Sequence, residues 1–284
     1  MKNINWSELG FGYFKTDYNV RCEYKDGKWG ELYATEDVNM NIHMASTCLH
    51  YGQEVFEGLK AFRGADGKVR LFRVEENAKR MINSGEYLKM AVPSVELFTK
   101  ACIEAVKLNA DYIPPYGSGA SLYLRPMLIG VGPQVGVKPS ADYLFAVFVT
   151  PVGPYYKDGF NCIKVIIDYD HDRAAPKGTG HVKVGGNYAA SLDSGEIAHQ
   201  KGFASVIFLD PATKQYIDEC SAANFFGIRD GKYITPDSHS VLPSITNKSL
   251  RQIAEDLGLK VEQRKVGVEE LPTFSEAGCC GTAA

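Results

Sequence analysis

Two α/β (α+β) domains joined by a short proline- and glycine-rich segment are the expected architecture of this chain. Its 284 residues, 45% of them hydrophobic, are enough to bury one large core or two smaller ones. Runs rich in branched and aromatic residues alternate with runs of helical period along the length. The densest punctuation of the first half falls at Pro151-Val152-Gly153-Pro154-Tyr155-Tyr156-Lys157-Asp158-Gly159. A first domain over 1–150, a linker over 151–160 and a second domain over 161–284 follow from it.

From Val20 to Asp37 two β-prone runs flank Lys25-Asp26-Gly27-Lys28, and Leu59 to Arg73 repeats the pattern around Asp66-Gly67. An Asp-Gly pair between such runs is a hairpin signal. Glu75 to Leu88 and Ser94 to Leu108 read as helices, the second with Val95, Phe98, Cys102, Ile103 and Val106 on one face. Ser121 to Val131 and Asp142 to Thr150 read as paired strands joined by the loop Gly132 to Ser140. Beyond the linker the residues predict a strand over Cys162 to Asp168, a helix from Tyr188 to Gln200 that Gly202 terminates, and a strand over Ala204 to Leu209. Strands on either side of Asp230-Gly231 precede an amphipathic helix over Thr246 to Leu257, with Leu250, Ile253 and Leu257 on one side and Gly258 at its end. The chain carries no internal repeat and no low-complexity tract.

A formal net charge of −3 with both signs interspersed gives no electrostatic reason to expect nucleic acid or an anionic membrane as partner, so small molecules are the expected ligands. The seven cysteines are odd in number and widely spread, which fits free thiols in a reducing compartment. The N-terminus has no apolar stretch of signal-peptide length and no later run approaches a membrane span, so a cytoplasmic protein is expected. The six histidines show no metal-ligand spacing. Gly178-Thr179-Gly180-His181-Val182-Lys183 begins like a dinucleotide loop but has lysine where the third glycine belongs.

Gly180-His181-Val182-Lys183-Val184-Gly185-Gly186-Asn187-Tyr188 sets a lysine between two valines with glycines on both sides. An apolar setting disfavours the ammonium, which is how a lysine becomes a nucleophile able to form a Schiff base. Read alone, the same lysine is more simply a strand residue with its head in water. The string KVGGNYAASL resembles the pyridoxal-phosphate lysine motif of the branched-chain amino acid aminotransferases, which belong to the fold-type IV (class IV) aminotransferases. That resemblance implies a smaller N-terminal α/β domain, a larger β-rich C-terminal domain, pyridoxal 5′-phosphate at their interface, and Lys183 as the residue that carries it.

Further motifs carry the resemblance. Leu242-Pro243-Ser244-Ile245-Thr246, in isolation a pair of helix caps, looks like the family's phosphate turn, implying N–H contacts from Ile245 and Thr246. Arg73 to Arg80 is similar to a helix bearing a phosphate-binding arginine at Arg80, which alone would read as a solvated helix residue. Glu219 matches the glutamate that pairs with the cofactor's ring nitrogen, since a protonated ring is the better electron sink. Tyr188 matches a tyrosine that hydrogen-bonds the ring oxygen. Without the resemblance these two read as an exposed strand glutamate and a core aromatic. Gly281-Thr282-Ala283 matches an anion turn, with Thr282 at the phosphate and the N–H groups of Thr282 and Ala283 at the substrate carboxylate. Relatives continue for several tens of residues past this turn, so a truncated or incompletely represented second domain is expected. Cys279-Cys280 are not the Cys-x-x-Cys that some relatives carry there.

Tyr51 to Phe62 and Ser121 to Pro126 also look like branched-chain aminotransferase motifs. They imply Phe56, Tyr123 and Tyr155, with Phe11, as walls of an apolar side-chain pocket, and Arg125 and Tyr51 as ligands for the distal carboxylate of glutamate. Val137 matches a residue that the family inserts into the neighbouring subunit's pocket, so a homodimer is implied. The implied activity is reversible amino transfer between leucine, isoleucine or valine and 2-oxoglutarate. D-amino acid aminotransferase and aminodeoxychorismate lyase share the fold and the lysine, but the first-domain motifs argue against both. A non-catalytic cofactor-binding protein is the alternative from another class.

Overall fold

The computed structural model of the protein describes residues 2–155 and 161–283, and the chain divides into two compact units, Met1–Gly159 and Phe160–Thr282. In the first unit, β1 (Asn19–Lys25) turns into β2 (Lys28–Trp29), and β3 (Tyr33–Thr35) returns along β1. Asp26 and Gly27 take φ values of 51° and 79°, the left-handed pair that a two-residue hairpin turn requires. α1 (Thr47–Tyr51), β4 (Glu54–Phe56), β5 (Leu59–Arg63) and β6 (Val69–Leu71) follow, then α2 (Val74–Tyr87), α3 (Val95–Leu108), β7 (Ser121–Gly130) and β8 (Tyr143–Val152). The strands form one eight-stranded sheet ordered β2-β1-β8-β7-β5-β6, with β3 on β1 and β4 on β7.

β7 and β8 pair along their whole length, from Ser121 opposite Val152 to Gly130 opposite Tyr143. Pro151 therefore lies inside β8, and the segment expected as a linker starts only after Val152. The strand tolerates proline there because β1 covers the other edge of β8 only over Tyr143 to Val147. Residues 156–160 of the expected linker lie outside the described residues. Ser94 caps α3, its hydroxyl accepting from Leu97 N at 3.1 Å. The buried face of α3 is Phe98, Ala101, Cys102, Ala105 and Val106, whereas Ile103 is exposed. Two alanines on that face let the helix approach the sheet closely enough for Phe98 to stack on Phe145, centroids 5.8 Å apart.

The second unit contains β9 (Val165–Asp168), α4 (Gly185–Ala189), α5 (Leu192–Gln200), β10 (Ser205–Leu209), β11 (Ile217–Cys220), β12 (Ala223–Arg229), β13 (Lys232–Pro236), α6 (Ile245–Asp256), β14 (Lys260–Arg264) and β15 (Glu276–Cys280). Its seven-stranded sheet runs β14-β13-β12-β11-β10-β9, with β15 on β12. β9 begins three residues later than the sequence predicts, and the helix expected over 188–200 is two helices. The break falls at Ser191, whose hydroxyl donates to Tyr188 O at 2.8 Å, a local bond that competes with continuing the helix. One face of the sheet buries Ile207, Leu209, Ile217, Phe225, Ile234 and Val266, each removing about 1.5–3 kcal/mol of apolar hydration.

α6 presents Ile245, Asn247 and Ala254 to the interior, while Ile253 and Leu257 face out. A polar anchor sets this rotation. Asn247 Nδ2 donates to Thr235 Oγ1 at 2.8 Å and Asn224 Oδ1 at 3.1 Å, and Tyr233 Oη donates to Asn247 Oδ1 at 2.9 Å. Leaving those buried groups unpaired would cost more than exposing two aliphatic side chains. All seven cysteines are free thiols. Among the described residues no helix is long and apolar enough to cross a membrane.

Candidate active site

Lys183 lies on a loop leading into α4 and not on a strand. Its neighbours Val182 and Val184 are buried. Asn187 clamps the loop, Nδ2 donating to Thr179 O at 2.7 Å and Val182 O at 3.0 Å, while the Thr179 hydroxyl donates to Asn187 Oδ1 at 2.6 Å. The amine that results is aimed along the first turn of α4. Lys183 Nζ donates to Tyr188 Oη at 2.5 Å and lies 4.9 Å from that ring's centroid.

Glu219 is on β11 and is only 3% exposed, not the surface strand residue that its position in the sequence suggests. Its Oε1 accepts from the backbone N–H of Leu242 and lies 3.4 Å from Arg173 Nη2. Burial pushes its carboxyl above the ordinary range; Arg173, the Leu242 N–H and Lys183 oppose that rise, in this order. Leu242 also ties Glu219 to the start of α6. There Ser244 caps the helix, its hydroxyl accepting from Asn247 N at 3.1 Å. Ile245 and Thr246 are the first two helical residues, so their N–H groups have no intrahelical acceptor and point along the positive end of the dipole. β15 pairs with β12 up to Asn224 opposite Cys280, which brings Gly281 beside the β11–β12 turn. A Cβ on Gly281 would lie 3.6 Å from Ala222 O. Lys183, Tyr188, Glu219, Ile245, Thr246 and Thr282 thus all belong to the second unit.

The first unit gathers another set. Phe11 packs edge-on against Tyr123, centroids 5.1 Å apart, and against Tyr155, 5.3 Å apart. The Arg125 guanidinium lies 4.8 Å from the Phe56 ring centroid and 5.3 Å from that of Tyr123, and donates to Tyr123 Oη at 3.2 Å. Its Nε is buried with no acceptor. A guanidinium so placed is short of acceptors, a shortfall worth about 1–3 kcal/mol that a carboxylate would remove. Gly58 makes room for the Tyr123 hydroxyl, since a Cβ at position 58 would stand 2.9 Å from Tyr123 Cζ.

Tyr51 contacts the loop that carries Val137. The Tyr51 hydroxyl donates to Val135 O, two residues before Val137, which is 86% exposed. Arg80, on α2, is not the solvated residue that its helix position suggests. It forms a buried pair with Glu57, Nε 2.7 Å from Oε1. Glu57, Arg173 and Asn187 are not among the site residues expected from the sequence. A charged residue set among apolar neighbours in Val55-Phe56-Glu57-Gly58-Leu59 is the signal that could have marked Glu57.

Residues 54–284 match the family model for class IV amino-transferases. The chain belongs to the class IV aminotransferases. Within them it is 53% identical to a branched-chain-amino-acid aminotransferase of Haemophilus influenzae, covering 100% of this chain and 84% of the relative. It is 52% identical to the Helicobacter pylori protein of the same name, again over 100% and 84%. Among solved structures, the Escherichia coli branched-chain amino acid aminotransferase superposes with a TM-score of 0.77 at 29% identity, covering 95% of this chain and 84% of that one. A T.th. branched-chain amino acid aminotransferase with pyridoxamine 5′-phosphate superposes with a TM-score of 0.78 at 27% identity, covering 96% and 84%. The fold is therefore the class IV aminotransferase fold expected from KVGGNYAASL and its companion motifs.

Proposed function

We propose that the chain holds pyridoxal 5′-phosphate on Lys183 and moves an amino group between leucine, isoleucine or valine and 2-oxoglutarate. The observation that carries this reading is Lys183 Nζ at 2.5 Å from Tyr188 Oη, in the unit where buried Glu219 is tied to Leu242 just ahead of α6. These residues fit the cofactor: an amine for its aldehyde, one buried carboxylate for its ring nitrogen, and spare N–H groups at a helix N-terminus for its phosphate. The names of the Haemophilus influenzae and Helicobacter pylori relatives support the substrate class, and the T.th. complex supports the cofactor.

When bound, the cofactor supplies an electron sink for the bond broken at the substrate α-carbon. Lys183 Nζ moves the proton at that carbon, and Tyr188 Oη holds the amine in line for it. Glu219 keeps the ring nitrogen protonated. The N–H groups of Ile245 and Thr246, the Thr282 hydroxyl and Arg80 bind the phosphate, with Glu57 fixing the arginine. The N–H groups of Thr282 and Ala283 bind the substrate α-carboxylate. Phe11, Phe56, Tyr123 and Tyr155 receive the branched alkyl group, and Arg125, with Tyr51, receives the distal carboxylate of glutamate.

Two copies pairing through the surface that carries Tyr51 and Val137 complete the reading. Met44, Leu49, Val135 and Val137 are 79%, 58%, 85% and 86% exposed, apolar side chains that a second copy would cover. The free cysteines support a cytoplasmic setting. Borohydride reduction of the reconstituted protein, followed by peptide mapping, tests the central assignment. The adduct should map to Lys183, and Lys183→Ala should give neither adduct nor transamination of leucine with 2-oxoglutarate. An adduct on another lysine would sink the reading.

A further inference from the structure

Arg173 is buried at 8% exposure on the loop between β9 and α4. Its Nη2 donates to Gly180 O at 3.0 Å and to Ser240 O, and lies 3.4 Å from Glu219 Oε1. Nη2 carries two protons, so the two carbonyls take both of them. Glu219 then feels the cation by charge rather than by a hydrogen bond, at 3.4 Å. The two carbonyls belong to the segments that deliver the chemistry: Gly180 is three residues before Lys183, and Ser240 is two before Leu242. Gly180 is pressed onto Ser240 so closely that a Cβ there would stand 2.7 Å from Ser240 Cα. The guanidinium is the polar pin at that crossing.

We infer that Arg173 is the positioning residue of this site, pinning the lysine loop to the phosphate-turn loop and holding Glu219 as a carboxylate, so that the ring nitrogen opposite it keeps its proton. This rests on the reading of Glu219 given above. The charge acts on the carboxylate it touches, and in a buried site a carboxylate without its cation draws the shared proton to itself, leaving a neutral acid against a neutral pyridine. Arg173 touches neither substrate nor cofactor in this scheme and works through Glu219.

The experiment separates the charge from the hydrogen bonds. Arg173→Gln keeps an N–H₂ donor for the carbonyls and removes the charge; Arg173→Lys keeps the charge and gives up the planar fork. Each variant, Glu219→Gln and the unaltered protein are reconstituted with ¹⁵N-labelled pyridoxal phosphate. The ring-nitrogen chemical shift is read by NMR, with a thermal melt of each apoprotein beside it. The unaltered protein and Arg173→Lys should show a protonated ring nitrogen, and Arg173→Gln and Glu219→Gln an unprotonated one. Turnover should fall at least about tenfold in Arg173→Gln, one pH unit of lost differential stabilisation, and much less in Arg173→Lys. A folded Arg173→Gln protein that keeps the protonated signal, while Glu219→Gln loses it, overturns the inference and leaves the Glu219 assignment standing. Retention of that signal in Glu219→Gln overturns both. If the glutamine variant does not fold, an unprotonated ring in folded Arg173→Lys overturns the role of charge, and a protonated one supports it.

Discussion

Arg80 meets Glu57 as a fork, Nε 2.7 Å from Oε1 and Nη2 2.8 Å from Oε2, and Asn77 Nδ2 donates to the same carboxylate at 2.7 Å. Glu57 has no exposed surface. Removing one partner of such a pair strands a buried charge, at a cost of about 3–5 kcal/mol. Glu57→Gln should lower the unfolding free energy of the apoprotein by about 3 kcal/mol in a denaturant titration, and should weaken cofactor binding as Arg80 loses its fixed orientation. Lost stability with unchanged cofactor affinity would separate Arg80 from the phosphate.

Glu219→Gln preserves the size of a side chain that is 3% exposed while removing its charge. The variant should still bind pyridoxal phosphate in an absorbance titration but lose at least about a hundredfold in turnover, because the electron sink is weakened more than binding is. Unchanged turnover would mean that another group holds the ring nitrogen.

Arg125, stacked between Phe56 and Tyr123 with an unpaired Nε, is placed to distinguish two substrates that share one pocket. A hydrogen bond to a charged group contributes about 1.5–3 kcal/mol, so Arg125→Ala should lower kcat/KM for glutamate and 2-oxoglutarate by roughly ten- to a hundredfold. Leucine should lose far less, and that loss would come from the missing arginine stem. Single-turnover measurement of each half-reaction checks this; equal losses would assign Arg125 to a structural role or to the α-carboxylate common to both.

Asp218, 4% exposed beside Glu219, has an unpaired Oδ1, and burial raises its pKa from 3.8 to about 6 against the opposing pull of Ser238 and Arg173. A carboxyl raised on folding favours the folded state while it is protonated. That contribution is complete below pH 3.8 and is lost as pH rises through about 6. The unaltered protein should therefore lose on the order of 3 kcal/mol across that window relative to Asp218→Asn, whose amide does not ionise. Denaturant titrations at pH 5 and pH 7.5 should show the variant's advantage growing with pH. A constant difference would mean that Asp218 does not titrate there.

The parts of the fold governed by local rules were legible in the sequence. Asp26-Gly27 and Asp230-Gly231 supply the paired positive φ values that tight hairpins need, and Ser94 caps its helix as a residue of that type should. Elements whose limits depend on the rest of the chain were not. Pro151 stays in β8 because β1 stops short of it, and α6 turns its aliphatic stripe outward because Asn247 is tied to three strand residues. In the candidate site, residues inside compact motifs, such as Lys183 and Tyr188, could be named from the sequence. Arg173 could not, because its partner Glu219 is 46 positions away and no periodicity links the two.

Gly58 and Tyr123 fix an order of events for any descendant of this protein that acquires a different side-chain preference. A Cβ at position 58 would stand 2.9 Å from Tyr123 Cζ, so a substitution there is harmful while the tyrosine remains. Once Tyr123 has become a smaller residue the same change fills the vacated space. The two substitutions are coupled with opposite signs in the two backgrounds, and a lineage or a directed-evolution library can pass through Tyr123 first but not through Gly58 first.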